Sequence, residues 1–193
     1  MNVQTISDQE LIRLYLKGND ACLETLIKRH QRNLYTTIYL LVRDRSLAED
    51  IFQETFIKIL NTLKNGSYNE EGKFLPWAAR VARNLTIDYL RKMKRDVTIT
   101  DSEGNDILSY LHIAEESKED LIIRQQSERN IKELVKLLPE EQREVLIMRH
   151  WGNMSFKEIA DATGVSINTA LGRMRYALNN LRKMLDKQQA MKV

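Results

Sequence analysis

The residues whose types and spacing best fit a chemical task lie between Ser155 and Arg175. Ser155 and Glu158 have the spacing of a capping box, which predicts that a helix begins there. Gly164 tolerates the positive φ of a tight turn, and Ser166 can then cap a second helix. Such a pair is typical of a DNA-binding helix-turn-helix, whose second helix enters the major groove. The residues of that helix placed to contact bases or phosphates are Ser166, Asn168, Thr169, Arg173 and Arg175.

Basic side chains form two separate clusters, although the whole chain carries a net charge of only +3. One cluster spans 80–95, with Asp88 as its single acid, and the other spans 173–192, with Asp186 as its single acid. Between them, residues 96–120 hold eight acids and one lysine. Two basic surfaces on either side of an acidic segment favour a bipartite contact with DNA.

No pattern of a catalytic, cofactor or metal site occurs in the sequence. There is no nucleophile–base pair and no glycine-rich phosphate loop. Cys22 is the single cysteine, and no Cys/His group has zinc spacing. The longest apolar run, Ile38 to Val42, is far short of the roughly 20 residues of a membrane span, and the N-terminus lacks the layout of a signal peptide. We therefore expect a cytoplasmic protein that is not an enzyme, with no cofactor and no small-molecule substrate.

Helices must position the candidate residues, because glycine (7) and proline (2) are scarce and helix-forming residues are frequent. Apolar residues recur at helical spacing along most of the chain, and no strand-like alternation rises above noise. Capping boxes predict helix starts at Ser7 and Ser46, and Pro76 and Pro139 suit first turns. An apolar stripe of the third long helix is predicted at Phe52, Phe56, Ile59 and Leu63, and one of the fourth at Trp77, Val81, Leu85 and Tyr89.

The predicted fold is all-α, with two small helical domains at 1–95 and 121–193 joined by an acidic linker at 96–120. The linker is inferred from the shift in composition and from the loss of helical periodicity after residue 96. A turn-rich stretch, Asn65 to Lys73, predicts a loop inside the first domain.

Three segments, taken together and in this order, resemble bacterial sigma factors of the extracytoplasmic-function group in the sigma-70 family. Residues 50–58 are similar to the helix that binds core RNA polymerase, and 74–91 to the segment that melts DNA and reads the −10 element. Residues 138–146, followed by the helix-turn-helix, are similar to the domain that reads the −35 element. The resemblance implies two helical domains and a role in promoter-specific transcription initiation.

The resemblance also implies roles for individual residues. Asp50, Gln53 and Glu54 would contact the clamp helices of core RNA polymerase. The residues implied in −10 binding are Asn65, Ser67 and Tyr68 in the loop and Asn84 and Arg91 on the following helix. The helix-turn-helix residues would read the −35 element, and the acidic linker would run toward the RNA exit path. The implied partners are core polymerase, promoter DNA and an anti-sigma factor, which is typical of the family.

The second helix of the helix-turn-helix departs from the family pattern. Many members have basic residues where this chain has Leu171, Tyr176 and Leu178. Phosphate contact should therefore rest on Arg173 and Arg175, and the −35 preference of other members cannot be carried over.

Several alternatives stay open at this point. Ser155 to Arg175 could be an ordinary helical hairpin, and the chain could be a stand-alone helix-turn-helix regulator with an N-terminal sensor domain. Trp77 could pack in the core or unstack bases, and Tyr68 could pack or stack on a base. Asp88 could pair with Arg91 within its own helix. His30 and Cys22 are interpreted as structural residues.

Overall fold

The computed structural model describes residues 6–69, 72–96 and 130–190, and every regular element in these ranges is an α-helix. The prediction of an all-α fold is confirmed. The linker predicted at 96–120 lies outside the described residues except for Asp96, so the domain bounds stay predictions. The helices are α1 (Asp8–Leu16), α2 (Asp20–Val42), α3 (Arg45–Lys64), α4 (Phe74–Asp96), α5 (described over 130–136), α6 (Glu140–His150), α7 (Phe156–Thr163) and α8 (Ile167–Ala190).

Helix α2 is the central element of the N-terminal domain (α1–α4), because it packs against the other three helices. Ser7 caps α1 as predicted, with its Oγ accepting a hydrogen bond from the Glu10 amide at 3.3 Å. His30 of α2 is buried, and its Nε2 lies 2.7 Å from Asp8 Oδ2. This contact ties α1 to α2, so the structural interpretation of His30 fits its position.

Helix α3 begins earlier than the predicted capping box. Its N-cap is Asp44, whose Oδ1 accepts a hydrogen bond from the Leu47 amide at 2.7 Å. The prediction that Ser46 caps this helix is wrong, because Glu49 pairs with Arg45 at 2.8 Å instead of closing a box on Ser46. Aspartate and serine are about equally good N-caps, and with Asp44 as the cap Ser46 already lies inside the helix.

Helix α4 packs through small residues. The side chains of Ala78, Ala79, Ala82 and Thr86 are fully buried, whereas Tyr89 of the predicted stripe is 38% exposed. Trp77, Val81 and Leu85 are half-buried at the edge of the contact. Small residues let helix backbones approach closely, so the contact centres on them and the bulky stripe flanks it.

The C-terminal domain (α5–α8) centres on the packing of α6 and α7 against α8. Pro139, predicted in the first turn of a helix, is instead the N-cap of α6, and Glu140 and Glu141 lie in the first turn, near the positive end of the helix dipole. Arg143 is buried and donates a 3.0 Å hydrogen bond from Nη1 to the Leu138 carbonyl. Burial lowers the pKa of Arg143.

The two domains share hydrophobic cores. One cluster joins Leu34 and Ala79 of the N-terminal domain to Met148 and Ile159 of the C-terminal domain, and a second joins Leu40 to Leu146. Gly152 fits against α4, since a Cβ there would lie 3.0 Å from Ala79 Cβ and 2.7 Å from the Met148 carbonyl oxygen. The domains are therefore docked on one another.

Polar contacts surround the docked cores. Arg83 of α4 reaches Glu144 of α6, with Nη2 2.7 Å from Oε1, and both side chains are largely buried. The Arg83 Nη1 also donates a 2.8 Å hydrogen bond to the Ala162 carbonyl at the end of α7. Lys73 pairs with Glu158 at 3.3 Å, and Lys136 Nζ lies 2.8 Å from the Tyr39 hydroxyl.

Candidate nucleic-acid interface

The helix-turn-helix forms as its sequence predicts. Ser155 Oγ accepts a hydrogen bond from the Glu158 amide, and the Glu158 carboxylate accepts one from the Ser155 amide at 2.7 Å. Gly164 ends α7 at a φ of +70°, the left-handed region that favours glycine. Ser166 then caps α8, with its Oγ accepting a hydrogen bond from the Thr169 amide at 3.0 Å.

Helix α8 buries one face and exposes the other. Ala170 and Ala177 are fully buried; Ala170 lets α8 cross α7 closely at Ile159 and Ala160, and Ala177 packs against Leu146 of α6. The predicted contact residues at its start, Ser166, Asn168 and Thr169, are exposed. The early residues of α8 therefore form an exposed polar surface of the kind that enters a major groove.

The two predicted arginines of α8 differ in their surroundings. Arg175 is exposed, and its guanidinium lies 5.6 Å from the centre of the Tyr176 ring. Arg173 turns toward α6, where its Nη2 lies 3.0 Å from Glu141 Oε2, and its side chain is only 20% exposed. The Arg173 guanidinium thus has an anionic partner within the protein.

An exposed polar face of α3 carries the residues predicted to bind polymerase. Asp50, Gln53 and Glu54 are exposed, and none forms a hydrogen bond or ion pair with the described residues. The opposite face is anchored by buried Ile51, Thr55 and Ile59. Ile57 is 59% exposed next to this polar face, and the sequence prediction missed it because an isoleucine on an amphipathic helix is ordinarily assigned to the core.

The loop after α3 divides into exposed and packed residues. Asn65 and Ser67 are exposed, as a nucleic-acid contact requires. Tyr68 packs in an aromatic cluster, with its ring centre 4.4 Å from that of Trp77 and 6.2 Å from that of Phe74. Tyr68 and Trp77 thus both pack within the protein in this structure, which is one of the two alternatives considered for each of them.

Helix α4 presents its predicted DNA contacts in different settings. Arg91 is 73% exposed and lies 3.8 Å from Asp88, the weak pairing considered from the sequence. Asn84 is exposed, and its Oδ1 accepts a 3.3 Å hydrogen bond from Arg83 Nη1. Arg83 belonged to the predicted basic cluster. Its pairing with Glu144 was not predicted, because the pair forms only when the two domains dock and the residues near Arg83 in the sequence do not indicate it.

Two further classes of site are not found among the described residues. Within 6–69, 72–96 and 130–190, no three His, Cys, Asp or Glu residues are grouped to hold a metal ion. In the same ranges, no helix is both long enough and apolar enough to cross a membrane.

Comparisons with protein families and with curated proteins both find similarity to sigma factors along most of the chain. Residues 26–96 match the family described as Sigma-70 region 2, and residues 128–181 match Sigma-70, region 4. The RNA polymerase sigma-H factor of Pseudomonas aeruginosa is 27% identical over 186 residues, which cover 92% of this chain and 93% of that protein. The ECF RNA polymerase sigma factor SigW of Bacillus subtilis is 26% identical over 178 residues, 90% of this chain and 94% of that protein.

Solved structures show a similar fold. CnrH, in complex with the cytosolic domain of CnrY, aligns over 94% of this chain and 99% of its own with a TM-score of 0.61 and 20% identity. The sigma factor RpoE, in complex with the anti-sigma factor NepR from Bartonella quintana, aligns over 85% of this chain and 96% of its own with a TM-score of 0.62 and 20% identity.

Proposed function

The chain belongs to the extracytoplasmic-function group of the sigma-70 family, and we propose how its exposed surfaces divide the work of promoter-specific transcription initiation. A sigma factor binds core RNA polymerase and directs it to promoters, without a catalytic centre of its own. The observation that carries the proposal is the joint presence of an exposed polar face on α3 and a helix-turn-helix with an exposed second helix. A stand-alone regulator with an N-terminal sensor domain is disfavoured, since residues 26–96 match Sigma-70 region 2.

The polymerase-binding surface is assigned to α3. Asp50, Gln53 and Glu54 supply carboxylate and amide groups, and exposed Ile57 adds apolar area at their edge. Exposed apolar and polar groups together are common in protein–protein interfaces, where the apolar part loses water and the polar part fixes orientation. This surface fits a protein partner better than DNA, because Asp50 and Glu54 would repel phosphates.

The −10 surface is assigned to the loop after α3 and to α4. Asn65 and Ser67 can reach a base edge from the loop, and Asn84 and Arg91 extend the surface along α4. Tyr68 joins this surface only if it leaves its aromatic cluster, so its part in −10 binding requires a local rearrangement. Because exposed Arg91 makes only a distant pair, it is the group best placed to bind a phosphate at once.

The −35 surface is assigned to the start of α8. Ser166, Asn168 and Thr169 lie within the first turn, where a recognition helix contacts base edges, and Arg175 follows on the exposed side. Arg173 contributes once it is released from Glu141.

Two further assignments complete the proposal. The protein acts in the cytoplasm, where core polymerase and the chromosome are found, and its predicted acidic linker at 96–120 joins the −10 and −35 domains. A protein of the anti-sigma type is proposed as a partner, because the similar fold of RpoE was solved with the anti-sigma factor NepR. Such a partner would cover the α3 face or the helix-turn-helix.

Reconstituted transcription tests the proposal directly. The purified protein is added to sigma-free bacterial core polymerase on genomic DNA fragments, and the run-off products are sequenced. We expect transcripts that appear only with the protein, and whose start sites share upstream elements. Retained DNA binding without polymerase binding or transcription would contradict the proposal and favour a stand-alone regulator.

A paired variant tests the α3 surface. Gln53→Ala with Glu54→Ala should abolish polymerase binding while leaving helicity unchanged, because both side chains are exposed and form no hydrogen bond or ion pair with the described residues. The matched control is Glu24→Ala with Lys28→Ala, which removes an exposed ion pair of α2 and should bind polymerase normally. Normal pull-down of polymerase by the stable α3 variant would remove this surface from the proposal.

A further inference from the structure

Leu171 is an apolar side chain on the exposed surface of the recognition helix. It is 43% exposed, whereas Ala170 beside it in the chain is fully buried. Leu171 follows Asn168 by three residues and precedes Arg175 by four, so all three lie on one side of α8. A large part of this leucine is therefore left in contact with water on the side that carries Asn168 and Arg175.

The two residues that follow Leu171 in the chain supply few groups that could replace it in a contact with a base. Gly172 has no side chain, and no neighbouring atom lies within 4 Å of the place where its Cβ would be. Arg173 is held 3.0 Å from Glu141 and is turned toward α6. At Leu171, α8 therefore presents an apolar group to a major groove, with Asn168 and Arg175 on the same side of the helix.

The chemistry of the groove restricts which base such a group can recognise. A leucine neither donates nor accepts a hydrogen bond, so the donors and acceptors of guanine, adenine and cytosine would lose water without gaining a partner. Thymine is the base that offers an apolar group in the major groove, its C5-methyl. We propose that Leu171 contacts the C5-methyl group of a thymine in the −35 element, and so selects thymine at one position; this rests on the proposed function.

The position of Leu171 in the helix separates it from the other exposed leucines of α8. Base contacts come from the first turns of a recognition helix, and Leu171 is the fifth residue of α8. Leu178 has a similar exposure of 47% but lies two turns further along. Leu178 is thus a matched control of the same residue type on the same helix.

Replacing thymine by deoxyuridine tests the contact, because this change removes only the methyl group. The preferred −35 element is first selected from random duplexes with holoenzyme made from the full chain and core polymerase. Affinity is then measured with deoxyuridine placed at each thymine of the element in turn. At one thymine we expect the affinity to fall about fourfold, the effect of burying roughly one methyl group.

Variants assign the effect to Leu171. Holoenzyme with Leu171→Ala should bind the thymine-containing element about as weakly as the native holoenzyme binds the deoxyuridine form, and should not distinguish the two DNAs. Leu178→Ala should keep the full fourfold difference. Leu171→Arg should shift the selected base from thymine to guanine, since arginine binds the O6 and N7 of guanine.

The outcomes separate this proposal from the proposed function. Three results would each overturn the Leu171 contact while −35 recognition stands. The selected element has no thymine where α8 binds, deoxyuridine leaves the affinity unchanged at every position, or Leu171→Ala is as sensitive to deoxyuridine as the native protein. A holoenzyme that transcribes but selects no upstream sequence would overturn both this proposal and the assignment of α8. Helicity of each variant, measured by circular dichroism, shows that a lost effect is not lost folding.

Discussion

Single side chains decide which exposed groups of this sigma factor are ready to bind DNA. Arg173 and Arg175 are two residues apart, yet one pairs with Glu141 at 3.0 Å and the other is exposed over Tyr176. In the role proposed for Arg173, Glu141 would compete with DNA for its guanidinium. The competition is modest, because Glu141 is 69% exposed and such pairs are worth little in water.

Removing that competitor should strengthen DNA binding. We expect Glu141→Gln to raise the affinity of holoenzyme for its −35 element a few fold, because it frees Arg173 and removes a negative charge beside the DNA. Arg173→Ala should weaken binding by about 1–3 kcal/mol if its contact is bidentate to guanine. Fluorescence anisotropy on promoter DNA measures both, and the double variant should show no gain from Glu141→Gln beyond the charge effect. An equal gain with and without Arg173 would contradict the competition.

Asp8 should make stability depend on pH in the acid range. Burial alone would raise the pKa of Asp8, but hydrogen bonds and charges from His30 and Arg29 lower it overall. A lowered folded-state pKa adds stability above the unfolded value, near 3.8, and this stability is lost as pH falls through the folded value. Asp8→Asn should cost about 1–3 kcal/mol at neutral pH, because buried His30 loses its anionic partner, and the cost should shrink at about pH 3.

Urea unfolding at both pH values measures the effect of Asp8. The matched control is Glu10→Gln in the same helix, whose exposed pairing with Arg13 should contribute little at either pH. A cost of Asp8→Asn that is the same at both pH values would show that the charge on Asp8 is not what stabilises α1.

At the scale of residues, the sequence predicted which side chains are exposed better than it predicted which side chains form ion pairs. Gln53, Glu54 and Arg175 are exposed because their helices are amphipathic, and helical spacing alone places polar residues opposite the apolar face. The partners of Arg83 and Arg173 come from other helices. Those contacts depend on how the helices pack, which local spacing does not encode.

At the scale of elements, chain reversals and caps explain where the helices begin and end. Ser155, Gly164 and Ser166 were predicted correctly because each signal is strong and local. The predicted start of α3 was wrong because Asp44 and Ser46 can both cap a helix, and the sequence does not show which of them the folded helix uses. The close packing of α4 through Ala78 and Ala82 was also missed, since hydrophobic periodicity weights large residues most.

Two glycines of the helix-turn-helix should respond to alanine in opposite directions. Gly164→Ala should destabilise the protein by about 1 kcal/mol, because Gly164 has a φ of +70° that alanine rarely adopts. Gly172→Ala should stabilise it by about 0.5–1 kcal/mol, since Gly172 is helical and a Cβ there meets no neighbouring atom. Thermal unfolding followed by circular dichroism gives both signs, and a stabilising Gly164→Ala would show that the turn has another conformation in solution.

At the scale of the whole molecule, the domains assigned to the −10 and −35 elements are docked on one another. Arg83 of α4 is bound to Glu144 and to the end of α7, which is the first helix of the helix-turn-helix. Buried Ala78 and Ala79 of α4 lie in the same cluster as Val145 and Met148 of α6. This arrangement could not be predicted from the sequence, because each domain taken alone has a complete helical pattern.

Glu144→Gln should loosen the docked domains, because removing one partner of a buried ion pair costs about 3–5 kcal/mol, reduced here by the remaining bond from Arg83 to Ala162. Carbodiimide cross-linking of Lys73 to Glu158, which lie 3.3 Å apart across the domains, reports docking in the free full-length protein. We expect the cross-link, identified by mass spectrometry, to fall in Glu144→Gln and to persist in Glu140→Gln, a matched change at an exposed position of the same helix. Equal yields in both variants would contradict a holding role for Glu144.

The contact between Gly152 and Ala79 also bears on how such proteins can be recombined. A hybrid that joins the N-terminal half of this chain to the C-terminal half of a distant homologue inherits whatever residue that homologue has opposite Ala79. Any side chain there must displace the Met148 carbonyl or push α4 away. The two halves must therefore be compatible in side-chain size at this point, because a substitution at one of these two positions limits which residues the other can accept.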